Sequence, residues 1–150
     1  MMNSVSNNIA NHLKSLHWQY DFDANTGCFL VGMVKLNHVV LDLKIISDDV
    51  EQRLVIHSTL PLVFPESNYA ELLRLVNWVN CKIYTGRFCL DTQSGLLSNR
   101  SYGILRNIPI KEDVISVLLH CNLNTFDRYA ATFLKLISLN NPSNSTNYFN

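Results

Sequence analysis

Between Gly86 and Ile104 the chain reads GRFCLDTQSGLLSNRSYGI, its densest run of side chains able to do chemistry. Cys89 and Ser94 are potential nucleophiles, Asp91 is a potential base or capping carboxylate, and His57 could act as a base if the fold delivered it. Together they would describe a small hydrolase or ligand-binding enzyme. A nucleophile, however, needs its base within hydrogen-bond reach, and the sequence supplies no local pairing of that kind. Ser94 lies in no Gly-x-Ser-x-Gly elbow. Cys89 stands between Phe88 and Leu90, the setting of a core or interface thiol. These residues therefore point to turn geometry before catalysis, and the hydrolase remains the alternative reading.

Other groupings are weaker still. Asp21 and Asp23 have the two-residue spacing that puts both on one face of a strand, but hydrolysis by paired carboxylates needs a pocket that nothing identifies. Cys28, Cys81, Cys89 and Cys121 are widely spaced and lack the paired local ligands of a zinc site; they fit free thiols better than a disulfide framework. The glycines form neither a Gly-x-Gly-x-x-Gly nor a Walker pattern. Asp23-Ala-Asn-Thr-Gly27 and Asp91-Thr-Gln-Ser-Gly95 are too short for a calcium loop. No cofactor or metal is expected.

Tyr84, Arg87 and Phe88 mix aromatic and basic groups, as single-strand RNA binders do. Yet Arg87 has the opposite strand parity, which sends the aromatics toward the core and the arginine to solvent. Lys plus Arg and Asp plus Glu stand at 12 each, so the chain is formally neutral and lacks the basic field that drives nucleic-acid affinity. Neutrality also removes colloidal repulsion, which makes a homodimer conceivable. No stretch approaches the roughly 20 apolar residues of a membrane span. With no export signal in the sequence, the cytoplasm is the expected location.

The elements that must position these groups follow from periodicity. Ile9, Leu13 and Leu16 predict a helix over 5–17. Trp18, Tyr20 and Phe22 alternate as a strand, and further strands are expected over 28–36, 39–46 and 53–62, as an antiparallel meander. Asn68 and Glu71 have capping-box spacing before a helix over 69–80. Its apolar stripe is Tyr69, Leu72, Leu73, Val76 and Val79, while Arg74, Glu71 and Trp78 project from the other side. Trp78 then packs at the helix end or serves as an aromatic anchor for a partner. A hairpin is expected from Lys82–Leu90 and Leu96–Leu105, with Asp91–Gly95 at its tip. After Pro109 come a helix over 111–121, with Val114, Val117, Leu118 and Cys121 on one face, a break at Asn122-Leu-Asn-Thr, and a last helix over 125–139. These elements make a single domain over 1–139, followed by a flexible polar tail over 140–150.

Pro65, the helix ending from Leu72 to Asn80, Gly86-Arg-Phe88, Asp91 with Gly95, and Asp127-x-Tyr129 occur in an order and spacing that resembles the bacterial YbjN-like family of sensory transduction regulators. With the earlier meander, the resemblance covers residues 5–139. It implies an α+β fold similar to type III secretion chaperones: an antiparallel sheet with N-terminal, central and C-terminal helices. It further implies a regulatory or chaperone-like role without catalytic apparatus. The function expected is a non-enzymatic protein-interaction or regulatory module, with Arg74, Trp78, Arg87 and Tyr102 as the interaction residues and an unknown protein or peptide as partner.

Overall fold

In the computed structural model, which describes residues 4–104 and 110–140, the first helix starts where Ser4 accepts the backbone N–H of Asn7 at 3.1 Å. That cap opens α1 (Val5–Ser15), whose Val5, Ile9 and Leu13 are fully buried. Four long strands and two short ones follow: β1 (Asp21–Asp23), β2 (Cys28–Lys35), β3 (Val40–Asp48), β4 (Arg53–Val63), then β5 (Arg87–Asp91) and β6 (Leu96–Ile104). They form one antiparallel six-stranded sheet in the order β1-β2-β3-β4-β6-β5. A short 3-10 turn (Glu66–Asn68) and α2 (Tyr69–Asn80) lie between β4 and β5, and α3 (Glu112–Asn140) ends the fold.

Strand alternation divides the sheet into two unlike faces. Leu41, Leu43, Ile45, Leu54, Ile56 and Leu97 turn inward, where they are buried with residues of the three α-helices. Phe88 joins them from β5 and meets Phe126 and Phe133 of α3 with ring centroids 5.0 Å apart in each case. Among the described residues no helix covers the opposite face. Leu30, Met33, Tyr102 and Ile104 stand on it more than half exposed.

The two Asp-x-x-Ser/Thr-Gly segments fold by the same rule. Asp23 accepts from the Asn25 N–H and the Thr26 hydroxyl, each at 2.9 Å; Asp91 accepts from the Gln93 N–H at 3.0 Å and the Ser94 hydroxyl at 2.8 Å. Gly27 and Gly95 follow at φ 65° and 72°, a region most side chains avoid. A Cβ on Gly95 would also come within 2.8 Å of the Phe64 carbonyl oxygen.

Several expectations need correction. The C-terminal region is one 29-residue helix, not two. Its inward positions are Ile115, Leu119, Asn122, Phe126, Ala130 and Phe133, while Val117 is exposed. Asn122 does not break the helix because its side chain is satisfied in the core. Its Nδ2 donates to the Asn99 carbonyl at 3.1 Å and to Ser101 Oγ at 2.9 Å, and its Oδ1 accepts the Ser58 hydroxyl at 2.6 Å. Asn68 makes no side-chain cap; it is buried, and its Nδ2 reaches the Leu136 carbonyl at 3.4 Å. Leu73 is exposed on α2. The first strand contracts to Asp21–Asp23, because Trp18 and Tyr20 pack against the core from a connecting segment. Tyr84 is fully exposed, since β5 begins only at Arg87. Pro109 and the tail from residue 141 onward lie outside the described residues.

Replacing Asn122 with Leu keeps bulk and helix propensity but leaves Ser58 and Ser101 without this partner inside the core. An unsatisfied buried group costs about 1–3 kcal/mol, so Asn122→Leu is expected to lower the unfolding free energy by roughly 3 kcal/mol in urea titrations followed by tryptophan fluorescence. A loss near zero would show that the network does not stabilise the sheet–helix contact.

Candidate protein-binding surfaces

Arg74 and Trp78 lie one helical turn apart on the exposed side of α2, as their spacing requires. Trp78 is 50% exposed. The Lys82 ammonium stands 5.0 Å from its ring centroid, a cation–π contact that holds one approach to the indole. Arg87 and Tyr102 belong to the other layer. Arg87 is register partner of Arg100 on β6, and Tyr102 is register partner of Val55 on β4, so both project from the helix-free face. The four expected interaction residues are all exposed, but they form two pairs on different layers.

The helix-free face has a legible charge pattern. Following the register across the strands gives the row Asp21, Leu30, Lys44, His57, Arg100, Arg87. The adjacent row is Asp23, Cys28, Ile46, Val55, Tyr102. Acid thus stands at the β1 edge and arginine at the β5 edge, with Lys44, His57 and Arg100 set among apolar groups between. Among the described residues, Lys44, Arg87 and Arg100 have no carboxylate within salt-bridge distance, whereas Arg53 is paired with Asp48 at 2.9 Å.

The β5 edge is capped at Phe88. The Phe88 N–H donates to Asn80 Oδ1 at 2.8 Å and Asn80 Nδ2 donates to the Phe88 carbonyl at 3.0 Å, so the amide of α2 takes the place of a neighbouring strand. Strand addition at this point is therefore obstructed. The spacing of Asn80 from Phe88 carried no recognisable signal, because the contact depends on how α2 meets the sheet edge.

The residues of the alternative hydrolase are arranged otherwise than catalysis requires. Ser94 gives its hydroxyl hydrogen to Asp91 within the turn. The Ser94 and Gln93 hydrogen bonds hold the Asp91 carboxyl below its usual range, which makes it a poorer base. Cys89 is exposed on the helix-free face; His57 lies two strands and one residue pair away, roughly 12 Å by standard sheet spacing. Burial, with Lys44 and Arg100 nearby, lowers the His57 pKa to about 4. No group of three or more His, Cys, Asp or Glu able to hold a metal occurs among the described residues. A polar recess of about 490 Å³ is lined by Asn37, His38, Asn124 and Asp127, where Asp127 accepts the His38 N–H at 2.7 Å and its carboxylate lies 3.0 Å from His38 Nδ1.

The scaffold is an α+β fold with its helices on one side of an antiparallel sheet and exposed apolar groups on the other. The sequence matches the family described as "Putative bacterial sensory transduction regulator" over residues 6–135, and the chain belongs to that family, YbjN. Among solved structures it is similar to YbjN, "a putative transcription regulator from E. coli", at 12% identity and TM-score 0.65, covering 92% of this chain and 97% of that one. It is also similar to the ExsC–ExsE complex, at 10% identity and TM-score 0.54, with 87% and 97% covered. A likeness to the HopA1–SchA chaperone–effector complex has 19% identity and TM-score 0.47, with 79% and 85% covered. No curated protein matches. The α+β architecture implied by the resemblance is the one observed. No helix among the described residues is long and apolar enough to cross a membrane.

The state of His57 generates a pH dependence. The folded chain keeps this imidazole neutral down to about pH 4, whereas its ordinary pKa is 6.5, so between these values the unfolded state binds the extra proton. Stability from this group is complete above pH 6.5 and declines as the pH falls toward 4. His12, lowered chiefly by burial, acts in the same direction. Urea midpoints measured from pH 7 to pH 4 should fall less steeply in His57→Gln than in the parent; identical slopes would remove His57 as a contributor.

Proposed function

We infer that the chain is a non-enzymatic protein-binding module with a regulatory or chaperone-like role. The observation that carries this reading is Trp78, a large aromatic left half in solvent on the same helix face as Arg74. Tryptophan and arginine are the side chains most often responsible for concentrated binding energy at protein interfaces. A partner peptide or protein covering the indole would remove its apolar area from water while its acidic groups met Arg74 and Lys82. Arg87 and Tyr102 supply a second contact region on the opposite layer. Membership of a family described as sensory transduction regulators supports a regulatory setting, and a structurally similar chain is found in the ExsC–ExsE complex.

The module acts as one unit through residue 139. Its site of action is the cytoplasm, a reading supported by four free cysteines, Cys28, Cys81, Cys89 and Cys121, which suit a reducing compartment.

A photo-crosslinking residue placed at position 78 of the full chain, in a lysate of the source bacterium, should capture a defined heterologous polypeptide that the same residue at the exposed Val50 does not. Recovery of that polypeptide on immobilised chain should drop by about tenfold in Trp78→Ala, as for an interface hot spot. Equal labelling from positions 78 and 50 would overturn the reading.

A further inference from the structure

We propose that the helix-free face of the sheet is a self-complementary interface, on which a second copy of this chain packs face to face about a two-fold axis running parallel to the strands between β3 and β4. The inference rests on the reading of Arg87 and Tyr102 as protein-binding residues and assigns their partner. Its basis is the charge pattern. Such an axis sets β1 against the partner's β5, β2 against β6 and β3 against β4. In the central row Asp21 then opposes Arg87, Leu30 opposes Arg100, and Lys44 opposes the neutral His57.

The remaining rows agree. Ile46 meets Val55 and Cys28 meets Tyr102 beside the central row; Asp42 meets Thr59 and Met33 meets Ser98 on its other side; Asp48 meets Arg53 beyond. No row sets two like charges opposite each other. Two of the oppositions, Asp21 with Arg87 and Asp48 with Arg53, bring opposite charges together. Packed sheets cross at about 30°, so these oppositions are between neighbourhoods rather than single atoms. Long Lys and Arg side chains can span that offset.

Area and edges support the same occupant. Strands spaced about 4.8 Å apart and rising about 3.3 Å per residue give this face roughly 700 Å², close to the ~800 Å² per partner of a stable interface. Pairing through the edges is opposed at both ends. Asn80 occupies the β5 edge at Phe88, and β1 is a three-residue strand bearing Asp21 and Asp23, which would face their own copies across an antiparallel edge.

The test is sedimentation of the full chain over a concentration series, with charge-reversed variants. The parent should form a dimer. Asp21→Arg and Arg87→Asp should each weaken self-association by about tenfold, since each turns an attraction into a repulsion twice per dimer. The double variant should return to within about threefold of the parent. Asp21 and Arg87 stand at opposite edges of one sheet, so rescue can arise only between copies. Unchanged far-UV circular dichroism verifies that the variants fold.

A parent that stays monomeric at every concentration, or a double variant no better than either single, overturns the proposal. Monomeric protein that still captures a polypeptide from position 78 would sink self-association and leave the protein-binding reading standing. A rescued dimer that captures nothing from position 78 would do the reverse.

Discussion

The sheet and the long helix are registered on each other by one buried amide. Asn122, fully enclosed, joins three strand residues at once: Ser58 on β4 and Asn99 and Ser101 on β6. The exchange is reciprocal, because Asn99 Nδ2 donates to the Asn122 carbonyl at 3.1 Å. Apolar contacts alone would let a helix slide over a sheet at modest cost, as hydrophobic burial has no direction. A polar network in a low-dielectric interior has direction, and misregister leaves its groups unsatisfied. The position of α3 then fixes Phe126 and Phe133 against Phe88, and through Phe88 the edge that α2 closes with Asn80.

That same network explains what was hidden in the sequence. Read by periodicity, Asn122-Leu-Asn-Thr looked like a break, since asparagine is an indifferent helix former and favours caps and turns. The inward series Ile115, Leu119, Asn122, Phe126, Ala130, Phe133 is regular once an asparagine is allowed inside. Its partners, however, are polar residues of distant strands, and chain order does not reveal their convergence. Asn68 was misread for the same reason: a buried tertiary contact took a residue whose local chemistry suits a cap.

Local rules succeeded where the interaction is local. Asp23 and Asp91 make the turns that their Asp-x-x-Ser/Thr-Gly patterns specify, and β3 and β4 form over the stretches expected as strands. The exposure of Trp78 followed from its angle to Leu72, Val76 and Val79. The charge row across the sheet did not follow, because it depends on which residues stand side by side in five pairings. The insertion of β6 between β4 and β5, out of chain order, brings Arg100 beside His57 and Arg87.

A sheet with helices on one side must make its other side tolerable to water without losing strand propensity. Here the apolar Leu30, Ile46, Val55 and Tyr102 are interleaved with Lys44, Arg100 and Arg87 along the register rows. The cost falls on His57. Flanked by Lys44 and Arg100 and partly buried between them, its ring cannot take up a third positive charge near neutral pH. Neutral histidine therefore fills the centre of the cationic row with bulk and no net charge. Its lowered pKa follows first from burial and then from the neighbouring Lys44 and Arg100, and neither a base nor a metal ligand is needed to account for it.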